Sequence, residues 1–331
     1  MKMSRKAFLL TMGAGMVICG RRAQGKATSP DKRSIPAKSV IPAALTPFDG
    51  ELRIAREEFR RHLVALAAVP GVTAILVNGG AGQDSALSRE ERRSLVAEAV
   101  DAVGDRTPII AALRETRDVP DLGGLAKDAA AEGAHALLIM PPANEAEASW
   151  EGANKRFREI FAAADLPLTI YQTAYSAETL ARLAQFPQVF AVKDGSGDPA
   201  TFERNLRAVR ALGRGVAVWS THSRWLLADL AIGADGILSG MGSFAADLHV
   251  ALAEAVGRSD LEAARRVNDR LFPISETFYR PGQNAHTRAK YALTRLRRCA
   301  YDHVRPPLKP LDDAERARID LALRQSGLLL E

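Results

Sequence analysis

From Val40 onward, short apolar runs alternate with longer amphipathic stretches along the chain. Each run has the length of a strand that is buried on both faces, as in a parallel sheet. Eight parallel strands are the number that closes a (β/α)8 barrel. The runs are Val40–Leu45, Thr73–Val77, Pro108–Leu113, His135–Met140, Pro167–Tyr171, Val189–Val192, Val216–Trp219 and Gly236–Leu238.

The stretches between the runs carry apolar residues at helical spacing, so the pattern predicts a helix after each strand. Ser88 followed by Glu91 forms a capping box that marks the start of one of them. The predicted helices are Arg56–Ala67, Ser88–Val103, Leu122–Glu132, Trp150–Ala164, Ala177–Ala184, Thr201–Leu212, Ser223–Ala231 and Phe244–Val256.

After Gly257 the pattern is helical without strands, over Leu261–Glu276, Asn284–Arg298 and Asp313–Ser326. The order of elements predicts a TIM (β/α)8 barrel over residues 40–257, followed by a C-terminal helical subdomain over residues 258–331. A doubly wound sheet is the alternative fold with the same alternation.

The first 25 residues are typical of an export signal, and residues 26–39 of a linker. Lys2, Arg5 and Lys6 form a basic start, and the apolar run from Ala7 to Gly20 is too short to span a membrane stably. The start resembles a twin-arginine signal with lysine as its second basic residue, and a Sec signal is the alternative. An ordinary N-terminal helix and lipid attachment at Cys19 are the other interpretations.

We therefore expect an exported, periplasmic protein without a membrane contact after signal removal. If the leader does not function, the protein is expected in the cytoplasm. Charge agrees with this division of the chain. The net charge is +6, but residues 1–40 carry nine Lys and Arg against one Asp, so the remainder is close to neutral. No basic patch with aromatic residues and no metal-ligand spacing is present in the sequence, so nucleic-acid binding and a metal site are not expected.

In a TIM barrel the chemistry gathers where the strands end, and Lys193 ends the sixth apolar run. A lysine that emerges there between apolar walls loses hydration, which lowers the pKa of its amine toward the range in which it attacks carbonyl groups. The alternative is a lysine that only pairs with the neighbouring Asp194.

Several segments, in collinear order over about residues 40–330, resemble the dihydrodipicolinate synthase and N-acetylneuraminate lyase family of Schiff-base-forming (class I) aldolases. The resemblance implies a TIM barrel, no cofactor, and a homo-oligomer, either a dimer or a tetramer. The segments that carry it are 44–50 (ALTPFDG), 78–83 (NGGAGQ), 87–92 (LSREER), 166–171 (LPLTIY), 192–198 (VKDGSGD), 233–239 (GADGILS) and 305–308 (RPPL).

By this resemblance, Lys193 forms an imine with the ketone of pyruvate, a related 2-oxo acid or a sugar acid, and Tyr171 moves protons. The backbone N–H groups of Gly80 and Ala81 would hold the carboxylate, and Leu238 would contact the substrate. From the residues alone, the glycine-rich segment is equally compatible with a tight turn.

The chain also departs from the family pattern. Gly80 and Ala81 replace a pair of hydroxyl residues, and Pro141–Asn144 replaces a segment with an aromatic pair. The residues after Tyr171 lack the longer loop and the arginine that binds the second substrate's carboxylate in dihydrodipicolinate synthase. These losses and the export signal lead us to expect a role other than lysine biosynthesis.

Three polar residues beyond the strand ends are candidates for substrate binding in place of the missing groups: Arg114, Tyr175 and His222. Their alternatives are an ion pair for Arg114, packing against a helix for Tyr175, and a plain loop position for His222. Three functions remain open: a Schiff-base lyase or aldolase, a sugar-acid dehydratase of the same superfamily, and a catalytically weakened barrel that only binds a small molecule.

Overall fold

The computed structural model describes residues 34–280 and 284–330, in which eight parallel strands alternate with helices. The strands pair in the order β1-β8-β7-β6-β5-β4-β3-β2. Two isolated bridges, Val40 to Val72 and Ala43 to Leu76, join β1 to β2. The predicted TIM barrel is confirmed. The strands are β1 Val40–Pro42, β2 Ile75–Val77, β3 Ile109–Leu113, β4 Ala136–Ile139, β5 Leu168–Gln172, β6 Val189–Asp194, β7 Ala217–Ser220 and β8 Gly236–Ser239.

Helices follow the strands as the pattern predicted, and the predicted capping box of Ser88 and Glu91 is present at the start of α2. One short helix, α4, was not predicted, and Asn144 caps it through its side chain. The helices are α1 Arg56–Ala67, α2 Arg89–Val103, α3 Leu122–Ala131, α4 Glu145–Ala148, α5 Trp150–Ala163, α6 Ala177–Leu183, α7 Pro199–Arg210, α8 Leu226–Ile232, α9 Gly242–Gly257, α10 Leu261–Phe278, α11 Ala285–Arg295 and α12 Asp313–Gln325.

Successive residues of a strand pack in two different apolar clusters. On β3, Ile109, Ala111 and Leu113 pack with helix residues outside the barrel, whereas Ile110 and Ala112 belong to the other cluster. Side chains of a strand alternate between its two faces, so an uninterrupted apolar run is what a strand buried on both faces requires. The helices α10, α11 and α12 form the C-terminal helical subdomain.

Residues 1–33 lie outside the described residues, and with them the predicted export signal, Cys19 and most of the predicted linker. Export, the exact domain boundaries and the oligomeric state stay predictions. Among the described helices, none combines the length and the apolar character that a membrane crossing needs.

Gly236, the first residue of β8, shows how tightly the barrel is joined there. A methyl group at this position would overlap the carbonyl oxygen, carbonyl carbon and nitrogen of Ser39, all backbone atoms that cannot turn aside. We expect Gly236→Ala to lower the free energy of unfolding by about 3 kcal/mol. In urea unfolding, the matched variant Gly257→Ala, which meets no atom within 4.0 Å, should be neutral or slightly stabilised. Equal midpoints for the two variants would contradict this account.

Candidate active site

A cavity of about 430 Å³ opens at the carboxyl end of the barrel. Its walls come from the ends of the strands or the loops after them, and from the C-terminal helical subdomain. A TIM barrel presents its ligands at this end. The lining residues are Ala43, Leu76, Gly80, Ala81, Arg114, Met140, Tyr171, Lys193, Gly195, Thr221, His222, Gly240, Tyr279, Asn284, Ala285 and His286.

A second depression, of about 490 Å³, lies at the opposite ends of β1 and β8. Its walls are mainly apolar, with Lys38, Asp235 and Glu254 as their charged residues. Asp235 is already engaged, because it accepts hydrogen bonds from the Val218 N–H and from Arg210. The groups able to do covalent or acid–base chemistry are therefore gathered in the first cavity.

Lys193 lies near the end of β6, beside Tyr171 of β5 in the register of the sheet. Its side chain is almost fully buried, and its Nζ lies 3.8 Å from the centroid of the Tyr171 ring. Burial lowers the pKa of Lys193 to about 7; the charge of Arg114 acts in the same direction, and the carboxylate of Asp84 opposes it. A large fraction of the amine is therefore neutral, and nucleophilic, at neutral pH.

Asp194 does not pair with Lys193, although it follows it in the chain. Its carboxylate accepts hydrogen bonds from the N–H and hydroxyl of Ser196 and from the amide of Asn205, at 2.6–2.9 Å. The Lys193 amine thus points into the cavity with no carboxylate bound to it among the described residues.

The phenol of Tyr171 is half-buried in the cavity wall. Burial, with a contribution from nearby Tyr279, raises the pKa of Tyr171 to about 12, so the hydroxyl stays protonated and can donate. Gly195 makes room for the ring, because a methyl group there would lie 2.9 Å from Tyr171 Cε2 and from Thr221 Cγ2.

Gly80 and Ala81 form a short 3₁₀ turn with Gly82, directly after β2. The N–H groups of Gly80 and Ala81 make no backbone hydrogen bond within the described parts of the chain and remain able to bind an anion. The turn is held by Gln83, whose side chain bonds the Arg305 backbone carbonyl at 3.1 Å and the Lys290 Nζ at 3.0 Å. The C-terminal segment thus fixes the glycine-rich loop.

Arg114 follows β3 and lines the cavity. Its Nε pairs with the buried carboxylate of Asp84, which is the ion pair considered as its alternative. Its two Nη atoms make no hydrogen bond to any residue described, so they remain free for a ligand. Arg92 keeps both partners in place, since it donates to the backbone carbonyls of Asp84 and Arg114 at 2.7 and 2.6 Å.

His222 lines the cavity, but both nitrogens of its ring are engaged. Nε2 accepts the Gly197 N–H at 2.9 Å, so the proton is on Nδ1, which donates to Asp229 at 2.8 Å. Ser220 donates to the same carboxylate oxygen at 2.6 Å. The ring therefore ties the loop after β6 to α8.

Tyr175 and Leu238 are not among the residues that line the cavity. The amide of Gln172 binds both the N–H and the carbonyl of Tyr175, and this turn directs the phenol outward to Arg156, which donates to its oxygen at 3.2 Å. Leu238 is fully buried, on β8 beside Ile41 of β1.

The sequence analysis missed Tyr279, Asn284 and His286, which reach the cavity from the C-terminal helical subdomain. The Tyr279 hydroxyl is hydrogen-bonded to the side chains of Ser223 and Ser239. Helical periodicity cannot show which residue of a late helix folds over the barrel. The one available signal was the absence of a side chain at Gly80, which leaves space for another group.

The arrangement of an imine-forming lysine, a neighbouring tyrosine and a glycine-rich anion loop is compared here with known proteins. The Dihydrodipicolinate synthetase family matches residues 36–326, nearly the whole described chain. The chain belongs to this family. The resemblance of the sequence motifs to the dihydrodipicolinate synthase and N-acetylneuraminate lyase family is thus confirmed.

Relatives in the family include the 4-hydroxy-tetrahydrodipicolinate synthases of Neisseria gonorrhoeae and Cereibacter sphaeroides. The first is 30% identical over 295 residues, which cover 87% of this chain and 98% of the relative. The second is 32% identical over 300 residues, which cover 88% and 99%. These names favour the synthase reaction and do not support the expectation that lysine biosynthesis is excluded.

Solved structures of the family superpose closely on this chain. The dihydrodipicolinate synthase of Thermotoga maritima has a TM-score of 0.81 at 25% identity, and the comparison covers 88% of this chain and 99% of the other. The chloride-inhibited enzyme of Acinetobacter baumannii, solved in complex with pyruvate, has a TM-score of 0.79 at 25% identity, covering 89% and 100%.

Proposed function

We propose that this protein is a Schiff-base lyase or aldolase that acts on a 2-oxo acid or a 2-oxo sugar acid. The observation that carries the proposal is the Lys193 amine, buried in the cavity with a pKa of about 7 and with no bound carboxylate in the described chain. A neutral amine in such a place attacks a ketone, whereas a protonated surface lysine does not.

The substrate's carboxylate binds the free N–H groups of Gly80 and Ala81, which places its ketone carbon at Lys193. The amine adds to this carbon to give a carbinolamine. Tyr171 supplies the proton that lets the carbinolamine oxygen leave as water, and the imine results. The pyruvate complex of the Acinetobacter baumannii relative supports a small 2-oxo acid as ligand.

Arg114 is the group we assign to the far end of the substrate. Its free Nη atoms suit a second anion or several hydroxyl groups, and a cavity of about 430 Å³ has room for a sugar acid beside the 2-oxo acid end. This proposal keeps the expectation of a substrate different from that of the synthases, since the arginine after Tyr171 is absent.

The synthase reaction of the relatives is the second candidate, favoured by their names and by 98–99% coverage of their length. For this reaction Arg114 would have to bind the carboxylate of the second substrate. The missing aromatic pair at Pro141–Asn144 speaks against efficient proton transfer in that reaction.

Borohydride reduction tests the proposal directly, because it converts an imine into a stable amine. The protein is treated with borohydride and either pyruvate or one of a panel of 4-hydroxy-2-oxo acids and 2-oxo sugar acids, and its intact mass is measured. We expect one adduct per chain with pyruvate and release of pyruvate from at least one panel member. Absence of any adduct would refute the proposal and leave a barrel that only binds. Turnover with the second substrate of the synthases alone would favour the second candidate.

A further inference from the structure

The cavity carries one histidine, His286, that the proposed chemistry has not used. It is the second residue of α11, and the Asn284 side chain, which accepts the N–H groups of His286 and Thr287 at 2.9 and 3.1 Å, fixes the start of this helix. The position of the ring therefore depends on a well-capped helix end rather than on a free loop.

The ring of His286 lies between two backbone segments that lack side chains. A methyl group on Gly80 would lie 3.5 Å from its Nε2, and one on Gly240 would lie 3.4 Å from its Cε1. Gly80 is the position at which the family usually carries a hydroxyl group. The imidazole thus occupies the space beside the carboxylate-binding turn that a larger residue at position 80 would fill.

The order of the strands places this ring across the mouth from Lys193. Gly80 follows β2, and β2 stands opposite β6 in the barrel of eight strands. A 2-oxo acid whose carboxylate is held at Gly80 and whose second carbon is bound to Lys193 spans this distance. Its third carbon, next to the imine, then lies between the two sides of the cavity.

His286 is also chemically available, in contrast to His222. Its ring nitrogens make no hydrogen bond to a residue within 34–280 or 284–330, whereas those of His222 are both bonded. Burial, then the charges of Lys193 and Lys290, lower the pKa of His286 to about 4, so its imidazole is neutral at neutral pH. A bound carboxylate at Gly80 acts in the opposite direction and strengthens it as a base.

We propose that His286 is the general base and acid that carries the proton to and from the substrate's third carbon. The inference rests on the proposed imine at Lys193. In the imine of pyruvate, His286 takes a proton from the methyl carbon. The C–H electron pair becomes the carbon–carbon double bond of an enamine, and the nitrogen takes the electron pair of the C=N bond.

In the cleavage of a 4-hydroxy-2-oxo acid, the same group takes the proton of the hydroxyl at the fourth carbon. The bond between the third and fourth carbons breaks, its electron pair forms the enamine, and an aldehyde leaves. The imidazolium of His286 then returns the proton to the third carbon. Water hydrolyses the resulting imine to pyruvate and the free amine of Lys193, so atoms and charges balance.

Pyruvate alone is a sufficient probe, because the imine and enamine exchange its methyl protons with solvent. In D₂O, deuterium uptake by pyruvate is followed by NMR for the full-length protein and for His286→Asn. We expect exchange to fall by about a hundredfold or more, with the yield and rate of borohydride trapping within about twofold of the parent. His303→Asn is the matched control, since His303 is exposed and lies outside the cavity.

Undiminished exchange in a folded His286→Asn protein would overturn the assignment, and so would an equal loss of trapping and exchange, which indicates mere disruption of the site. A parent that traps no pyruvate would refute the proposed function and this inference together. A parent that traps pyruvate, with His286→Asn exchanging as fast, would refute the inference alone.

A second pair of variants tests the position of the ring. Gly80→Thr restores the hydroxyl typical of the family but crowds His286, so we expect slower exchange from this single variant. With His286→Ala in addition, the space is free again, and part of the exchange should return. No recovery in the double variant, together with normal exchange in Gly80→Thr, would contradict the geometry described here.

Discussion

Replacing Lys193 by arginine should abolish borohydride trapping of pyruvate completely, because a guanidinium group cannot form the imine. Lys193→Met, which removes both the amine and the charge, should fail to trap as well. In the parent, the rate of imine formation should rise with pH and level off above about 7, since only the neutral amine attacks and the pKa of Lys193 is about 7.

Lys290 provides an internal control for this experiment. It is the other deeply buried lysine, with its pKa also lowered to about 7, but its Nζ donates to Gln83 and to the His303 carbonyl at 3.0 Å. It does not line the cavity. Peptide mapping of the reduced adduct should therefore find the modification on Lys193. A modified Lys290, or trapping that persists in folded Lys193→Met, would refute the assignment of the nucleophile.

Tyr171→Phe should slow both imine formation and turnover by at least about a hundredfold, because the carbinolamine then loses the acid that helps water to leave. The ring stays, so the packing against Lys193 is kept and the melting temperature should change little. Rates are measured by trapping at short times and by pyruvate release.

Tyr175→Phe is the matched control for this variant. It removes a buried hydrogen bond to Arg156, so it should cost about 1–2 kcal/mol of stability and leave the rates unchanged. The two tyrosines thus predict opposite outcomes in the two measurements. Unchanged rates in Tyr171→Phe would make this residue structural, and the proposal would then rest on Lys193 alone.

The strands and most helices could be predicted because burial imposes a simple pattern on them. A strand of a parallel sheet must be apolar on both faces, so each run marks its strand to within a few residues, as β3 at Ile109–Leu113 illustrates. Strand ends then give Lys193 and Tyr171 without further information. The short helix α4 escaped prediction, since four residues carry no periodicity.

The surroundings of the site could not be predicted in the same way, because they depend on contacts between distant parts of the chain. Asp229, seven residues beyond His222, determines how that ring is turned, and the side chain of Gln172 turns Tyr175 away from the cavity. His286 comes from a helix about 200 residues after Gly80, whose missing side chain it accompanies. Such pairs become visible only when the chain is folded.

The barrel is a ring with one weak join. β1 and β2 are held by two isolated bridges, one of them between Ala43 and Leu76, which both line the cavity. Strand separation costs the fewest hydrogen bonds at this join, so thermal opening of the ring concentrates there. β5 and β6, which carry Tyr171 and Lys193, stand diametrically opposite and pair over five residues of β5. The cavity can therefore widen to admit substrates of different length while the reacting groups keep their geometry.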